Sequence, residues 1–140
     1  MSWKNFEKNP SMWKIIWFAL FSFFLFSVFG AISSFEFQPS LILAFMNLVG
    51  LYGLAFEKRI WSVNFWKGYF WLAAIAVLAI AGILLAVAVS GVSAEDELPL
   101  AVITVLIGSL FISLLIYAIE LRGLYLYAFE REEIWLPRNA

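Results

Sequence analysis

LYGLAFEKRIW, residues 51–61, returns seventy-three positions later as LYLYAFEREEIW, residues 124–135. Extended back to Gly50 and Gly123, the two copies agree at six of eight positions over GLYGLAFE and GLYLYAFE. In each copy an apolar run ends on an aromatic pair four residues apart, Tyr52 with Phe56 and Tyr125 with Phe129, and charge begins at the next residue. Residues four apart share one helical face, and aromatic rings followed by basic side chains mark the level at which a helix leaves lipid for the headgroups. The repeated phrase therefore reads as the exit of two helical hairpins.

Two further matches keep the same order. MWKIIWF (12–18) corresponds to FWKGYFW (65–71) where a run begins, and EFQP (36–39) to DELP (96–99), an acid three residues before a proline, where the next begins. Proline suits a first helical turn and a carboxylate before it suits the positive end of the helix dipole. Three ordered matches point to a tandem duplication, repeat A about 11–62 and repeat B about 64–136, within one domain.

Of the 140 residues, 64% are hydrophobic and 14% charged, with a mean hydropathy of +0.94. A chain this small cannot hide that much apolar surface from water, so the solvent it asks for is lipid. Four charge-free runs, Ile15–Ile32, Leu41–Phe56, Gly68–Val89 and Leu98–Ile119, each predict a transmembrane helix, the second being short. No ten-residue alternation suggests a barrel, so the fold class expected is an all-α integral membrane protein with four transmembrane helices in two tandem-repeated hairpins.

All nine cations, Lys4, Lys8, Lys14, Lys58, Arg59, Lys67, Arg122, Arg131 and Arg138, fall in the N-terminus, the second loop and the C-terminus. The first and third loops hold Glu36 and then Glu95, Asp96 and Glu97. The positive-inside rule puts both termini and the middle loop in the cytoplasm and gives one orientation only. The first run is longer than the apolar stretch of a signal peptide, so it is expected to stay as a span. A bacterial cytoplasmic (inner) membrane is the expected location.

The same residues narrow the chemistry. The chain has neither His nor Cys, a single Asp, and no Lys inside an apolar run. A serine or aspartyl hydrolase, a haem or a zinc site lacks its usual groups, so no enzyme, cofactor or metal is expected. The net charge of −1 offers no basic face for nucleic acid. The acidic trio lacks the ligand spacing of a calcium loop and reads as solvated.

Six side chains are candidate site residues. Glu57 and Glu130 have no Lys or Arg three or four positions away. Parallel repeats related by a two-fold axis along the membrane normal would bring Glu57 to Arg131 and Glu130 to Lys58, locking the halves or holding an anionic lipid headgroup. The plainer reading makes all four interfacial anchors. Asn47 is the one strongly polar side chain central to a run, expected to hydrogen-bond between helices for about 1 kcal/mol or less. Alignment on the exit phrase sets Glu120 opposite Asn47, yet Leu98–Ile119 already crosses and Arg122 follows, so Glu120 is expected at the cytoplasmic rim.

Pro39 to Phe56 is seventeen residues and Pro99 to Phe129 thirty, so the fourth helix is expected to tilt or to project into the cytoplasm. Gly82, Ala86 and Ser90, like Ser109 and Ser113, form small-residue ridges expected to bring the third and fourth helices together. The expected partners are membrane lipids and either another membrane protein or further copies of the chain. The function expected is a non-catalytic accessory, assembly or immunity-type component of a larger membrane complex. The alternative is a small oligomeric transporter or channel for an ion or small solute, with Asn47 and Glu120 along its path.

Overall fold

In a computed structural model, which describes residues 2–36, 38–93 and 100–136, every regular element among those residues is helical. Helices α1 (Trp3–Lys8), α2 (Pro10–Ser34), α3 (Ser40–Ala55), α4 (Val63–Ser93) and α5 (Leu100–Tyr125) follow one another, a π turn (Leu126–Glu130) prolongs α5, and α6 (Glu132–Trp135) comes last. Glu95, Asp96, Glu97, Pro99 and Arg138 lie outside the described residues. Pro10 separates α1 from α2, because a residue before proline is pushed out of helical geometry; that residue, Asn9, caps α2 by accepting from Ser11 N–H at 3.0 Å.

Three helices are long and apolar enough to cross a membrane: Pro10–Ser34, Val63–Ser90 and Leu100–Glu130. With 16 residues, α3 is shorter, about 24 Å of rise. The last long helix does not stop at Ile119 as the apolar run does, because Glu120 and Arg122 find partners inside the bundle and need not leave it.

Packing is concentrated at the end of the bundle that holds the N-terminal segment, the α3–α4 loop and the π turn. Trp13, Leu51, Trp66, Leu124 and Tyr127 are all buried there. Three glycines make the close approach, Gly53 against the Tyr127 ring and two others against the tryptophans. A Cβ on Gly50 would run into Leu124 and lie 2.7 Å from the Trp66 ring; one on Gly123 would run into Leu51 and lie 2.9 Å from the Trp13 ring. Each tryptophan is held in turn by its indole N–H, which donates to a carbonyl six residues earlier, Trp13 to Glu7 and Trp66 to Ile60.

Around this core the same contacts occur twice. Trp17 packs on Tyr52 and Phe56 at 5.5 and 5.8 Å, and Phe70 on Tyr125 and Phe129 at 5.6 and 5.6 Å. Lys14 sits 5.5 Å from the Phe56 ring and Lys67 sits 5.6 Å from the Phe129 ring, both cation–π distances. Phe56 and Phe129 are therefore level. The extra length of α5 relative to α3 thus lies toward the opposite end.

Away from the core the helices carry bare apolar faces: Phe26, Leu78 and Val105 are 80%, 72% and 70% exposed. Helices α4 and α5 do pack on each other, but not along the expected ridge. Gly82, Ala86 and Ser90 are exposed, nothing lies within 4 Å of a Cβ on Gly82, and α4 turns the stripe Trp66, Tyr69, Ala73 and Val77 inward instead.

Candidate functional site

Asn47 is the eighth of the 16 residues of α3, and it is buried against α5 and α4. Its amide donates to Glu120 Oε2 at 2.6 Å, and its carbonyl oxygen accepts from the Tyr69 hydroxyl at 2.7 Å. The three side chains are 1%, 7% and 8% exposed. The register of the two exit phrases brings Asn47 and Glu120 together, since they stand seventy-three residues apart, as the phrases do. Glu120 is level with the middle of α3, two residues before Arg122.

The network uses its groups in one direction. Tyr69 donates to Asn47 and Asn47 donates to the carboxylate, which leaves Glu120 Oε1 with no hydrogen-bond partner among the described residues. No buried side-chain oxygen or nitrogen among those residues is both sealed off and unpaired, so Oε1 remains accessible. Glu120 lines a cavity of about 380 Å³ between α2, α3 and α5, together with Gln38 just before α3 and Ser40 at its first residue. Ser27, Ser109, Ser113 and Tyr117 also line it. The serine hydroxyls donate along their own helices, to the carbonyls of Phe23, Leu106 and Ser109, and so turn acceptor lone pairs outward.

A second polar cluster lies at the packed end. Arg122 grips the Glu7 carboxylate with two bonds, 2.6 and 2.9 Å, and stands 3.5 Å from Glu130. Arg131 donates to Glu133 at 2.9 Å and to the carbonyls of Glu7 and Lys8 at 3.3 and 3.0 Å. The Arg122 guanidinium holds the Glu7 carboxyl below the usual glutamate range, and Arg131 does the same for Glu133. Among the described residues neither Glu57 with Arg131 nor Glu130 with Lys58 forms a pair; Glu130 faces Arg122, and Lys58 is held by its carbonyl, which accepts from the Tyr127 hydroxyl at 2.7 Å.

Tyr69, Glu7 and Tyr127 are the members of these polar networks that sequence reasoning passed over. Tyr69 stands three residues after Trp66, on the face that a boundary tryptophan turns inward, and this spacing was the available signal. Glu7 has no such signal, because its partner stands 115 residues away. Among the described residues no three acidic, His or Cys side chains converge on a metal position. An oriented carboxylate with one free oxygen can accept a proton, an ammonium group or another donor. Comparison with family models, characterised proteins and solved structures gives no match, so the site is read from its geometry alone.

Proposed function

We propose that this chain is a four-span protein of a bacterial-type cytoplasmic membrane, built as two tandem hairpins, repeats 11–62 and 64–136, with both termini in the cytoplasm. The duplicated contacts support the repeat: the glycine–tryptophan interlocks, the aromatic trios and the two lysine–phenylalanine pairs all recur at corresponding residues. With those lysines among the headgroups, Glu120 lies just inward of them, two residues, or about 3 Å of rise, from Arg122 and its charged cluster with Glu7 and Glu130.

Within that membrane the chain is a non-catalytic component of a larger assembly. The observation that carries this reading is the exposed small-residue pair Gly82 and Ala86, with open space above Gly82. In lipid, where apolar side chains gain little by leaving the acyl chains, a small-residue ridge is the surface on which another helix packs. Purification in gentle detergent is expected to recover a membrane protein in stoichiometric amount, and Gly82→Leu is expected to lose it without unfolding the chain. Recovery of self-oligomers alone, or a partner indifferent to Gly82→Leu, overturns the assembly role.

The Glu120 cavity favours a second reading, a small oligomeric transporter or channel, because an acid inside a membrane bundle commonly marks an ion or solute path. Reconstituted flux that Glu120→Gln or Asn47→Leu abolishes, with the fold intact, would replace the first reading by this one.

A further inference from the structure

We propose that the cavity between α2, α3 and α5 is a binding site for a hydrophobic organic monocation, an ammonium group on an apolar body, whose charge meets Glu120 Oε1. This goes beyond the assembly role and does not depend on it.

Four observations carry the assignment. First, the carboxylate is preorganised: Asn47, itself held by Tyr69, donates to one oxygen and leaves the other without a partner on a residue that lines the cavity. Second, no Lys or Arg lines the cavity, and the guanidinium nearest in sequence, Arg122, is engaged by Glu7. A carboxylate in so apolar a surrounding needs a counter-charge or a proton, and a ligand can bring the charge.

Third, the wall selects by polarity. Glu120 supplies the one formal charge on the wall, a negative one, and the hydroxyls of Ser27, Ser109 and Ser113 direct their protons to their own helices. Although Gln38, Ser40 and Tyr117 remain as neutral donors, a cation is favoured over an anion. Fourth, Leu20, Phe23, Phe24 and Ile116 make the remaining wall apolar and partly aromatic, which suits a greasy cation and offers ring faces to its charge. A volume of about 380 Å³ is in the range that takes a small organic molecule. A bare metal ion fits poorly, because among the described residues one carboxylate stands without a second acid to join it.

The test uses the full chain in a neutral maltoside micelle, which contains no ammonium of its own, and two probes of one shape. Benzyltrimethylammonium carries the charge; neopentylbenzene is its uncharged isostere. By calorimetric titration, Glu120→Gln is expected to weaken the cation at least ten-fold and to leave the isostere within two-fold. Equal weakening of both probes, or unchanged cation binding, overturns the assignment. Should Glu120→Gln unfold, Ser113→Phe decides: it fills the cavity and leaves the Tyr69–Asn47–Glu120 network untouched, so loss of the cation supports the site and retention refutes it. Addition of phosphatidylethanolamine then separates two natural sources of the same chemistry. Displacement of the probe identifies a lipid headgroup, and unchanged binding a free amine; either supports an ammonium site.

Discussion

The packed end of the bundle and its outer half differ in a way that hydrophobicity does not explain. The packed end contains Gly50, Gly53 and Gly123, the indoles of Trp13 and Trp66, the Tyr127 hydroxyl and, at its margin, Asn47 with Glu120. The outer half is made of Leu, Ile, Val and Phe, and those side chains are largely exposed, among them Leu78, Ile83, Val105 and Phe111. The greasier region is the looser one. In water this would be inverted, but in lipid an isoleucine is as well solvated by acyl chains as by a neighbouring helix. Close approach and hydrogen bonding hold helices together there, and glycine, tryptophan and the polar side chains supply both.

The sharpest way to break that comparison is to add the same atoms to both regions. Gly50→Val or Gly123→Val forces a side chain into Trp66 and Leu124, or into Trp13 and Leu51, and overpacking of that kind costs about 3 kcal/mol or more. Gly108→Val, where nothing lies within 4 Å of the new Cβ, is expected to change stability by less than about 0.5 kcal/mol. Unfolding midpoints in mixed micelles measure both. Similar losses at the inner and outer glycines would mean that the outer half is packed after all.

A smaller effect separates hydrogen bonding from shape. Tyr127 reaches across Gly53, donates to the Lys58 carbonyl at 2.7 Å and accepts from the Ile60 amide at 3.0 Å. Tyr127→Phe keeps the ring and leaves both backbone groups without that partner, a loss of about 1–2 kcal/mol. Hydrogen exchange at the Ile60 amide should quicken by the corresponding ten-fold or so, while amides of α4 beyond Ala73 keep their rates. A uniform rise along α4 would show that the hydroxyl holds the whole bundle and not the loop alone.

The inner–outer contrast also explains what the residue pattern revealed. The exit phrases, the boundary tryptophans and the charge-free runs are local signals, and they located the helices and the level at which Phe56 and Phe129 stand. The alignment of the phrases is also the register in which Asn47 meets Glu120. The burial of Glu120 against Asn47 was not legible in the phrase alone, because it depends on the interlock of Gly50 and Gly123 that keeps the two exits level. The crossed pairs of Glu57 with Arg131 and Glu130 with Lys58 assumed that both copies of the phrase end alike. They do not: the first ends its helix at Ala55 and turns at Glu57 with φ 51°, while the second continues through a π turn to Glu130. That divergence of backbone swings the charges away from symmetry, and nothing in six shared residues of eight announces it.

The smallest expected effect lies in the Glu7–Arg122 pair, which fastens α1 to α5 at the packed end. Arg122 is 37% exposed, so water screens the pair and its worth is about 1 kcal/mol. Because the guanidinium lowers the Glu7 pKa in the folded chain, the pair stabilises the fold above the ordinary glutamate value of 4.5 and loses that contribution as the pH falls through the lowered value. Other carboxylates also titrate there, Glu133 beside Arg131 among them, so the informative quantity is the difference in melting temperature between the native chain and Glu7→Gln. That difference should be constant at neutral pH and shrink toward zero on acidification, while Arg122 remains charged throughout. A difference that persists at the acid end would mean that Glu7 holds α1 by its packed stem and its backbone carbonyl, which already accepts from Trp13 and Arg131, and that the packed end owes its cohesion to shape even where charges meet.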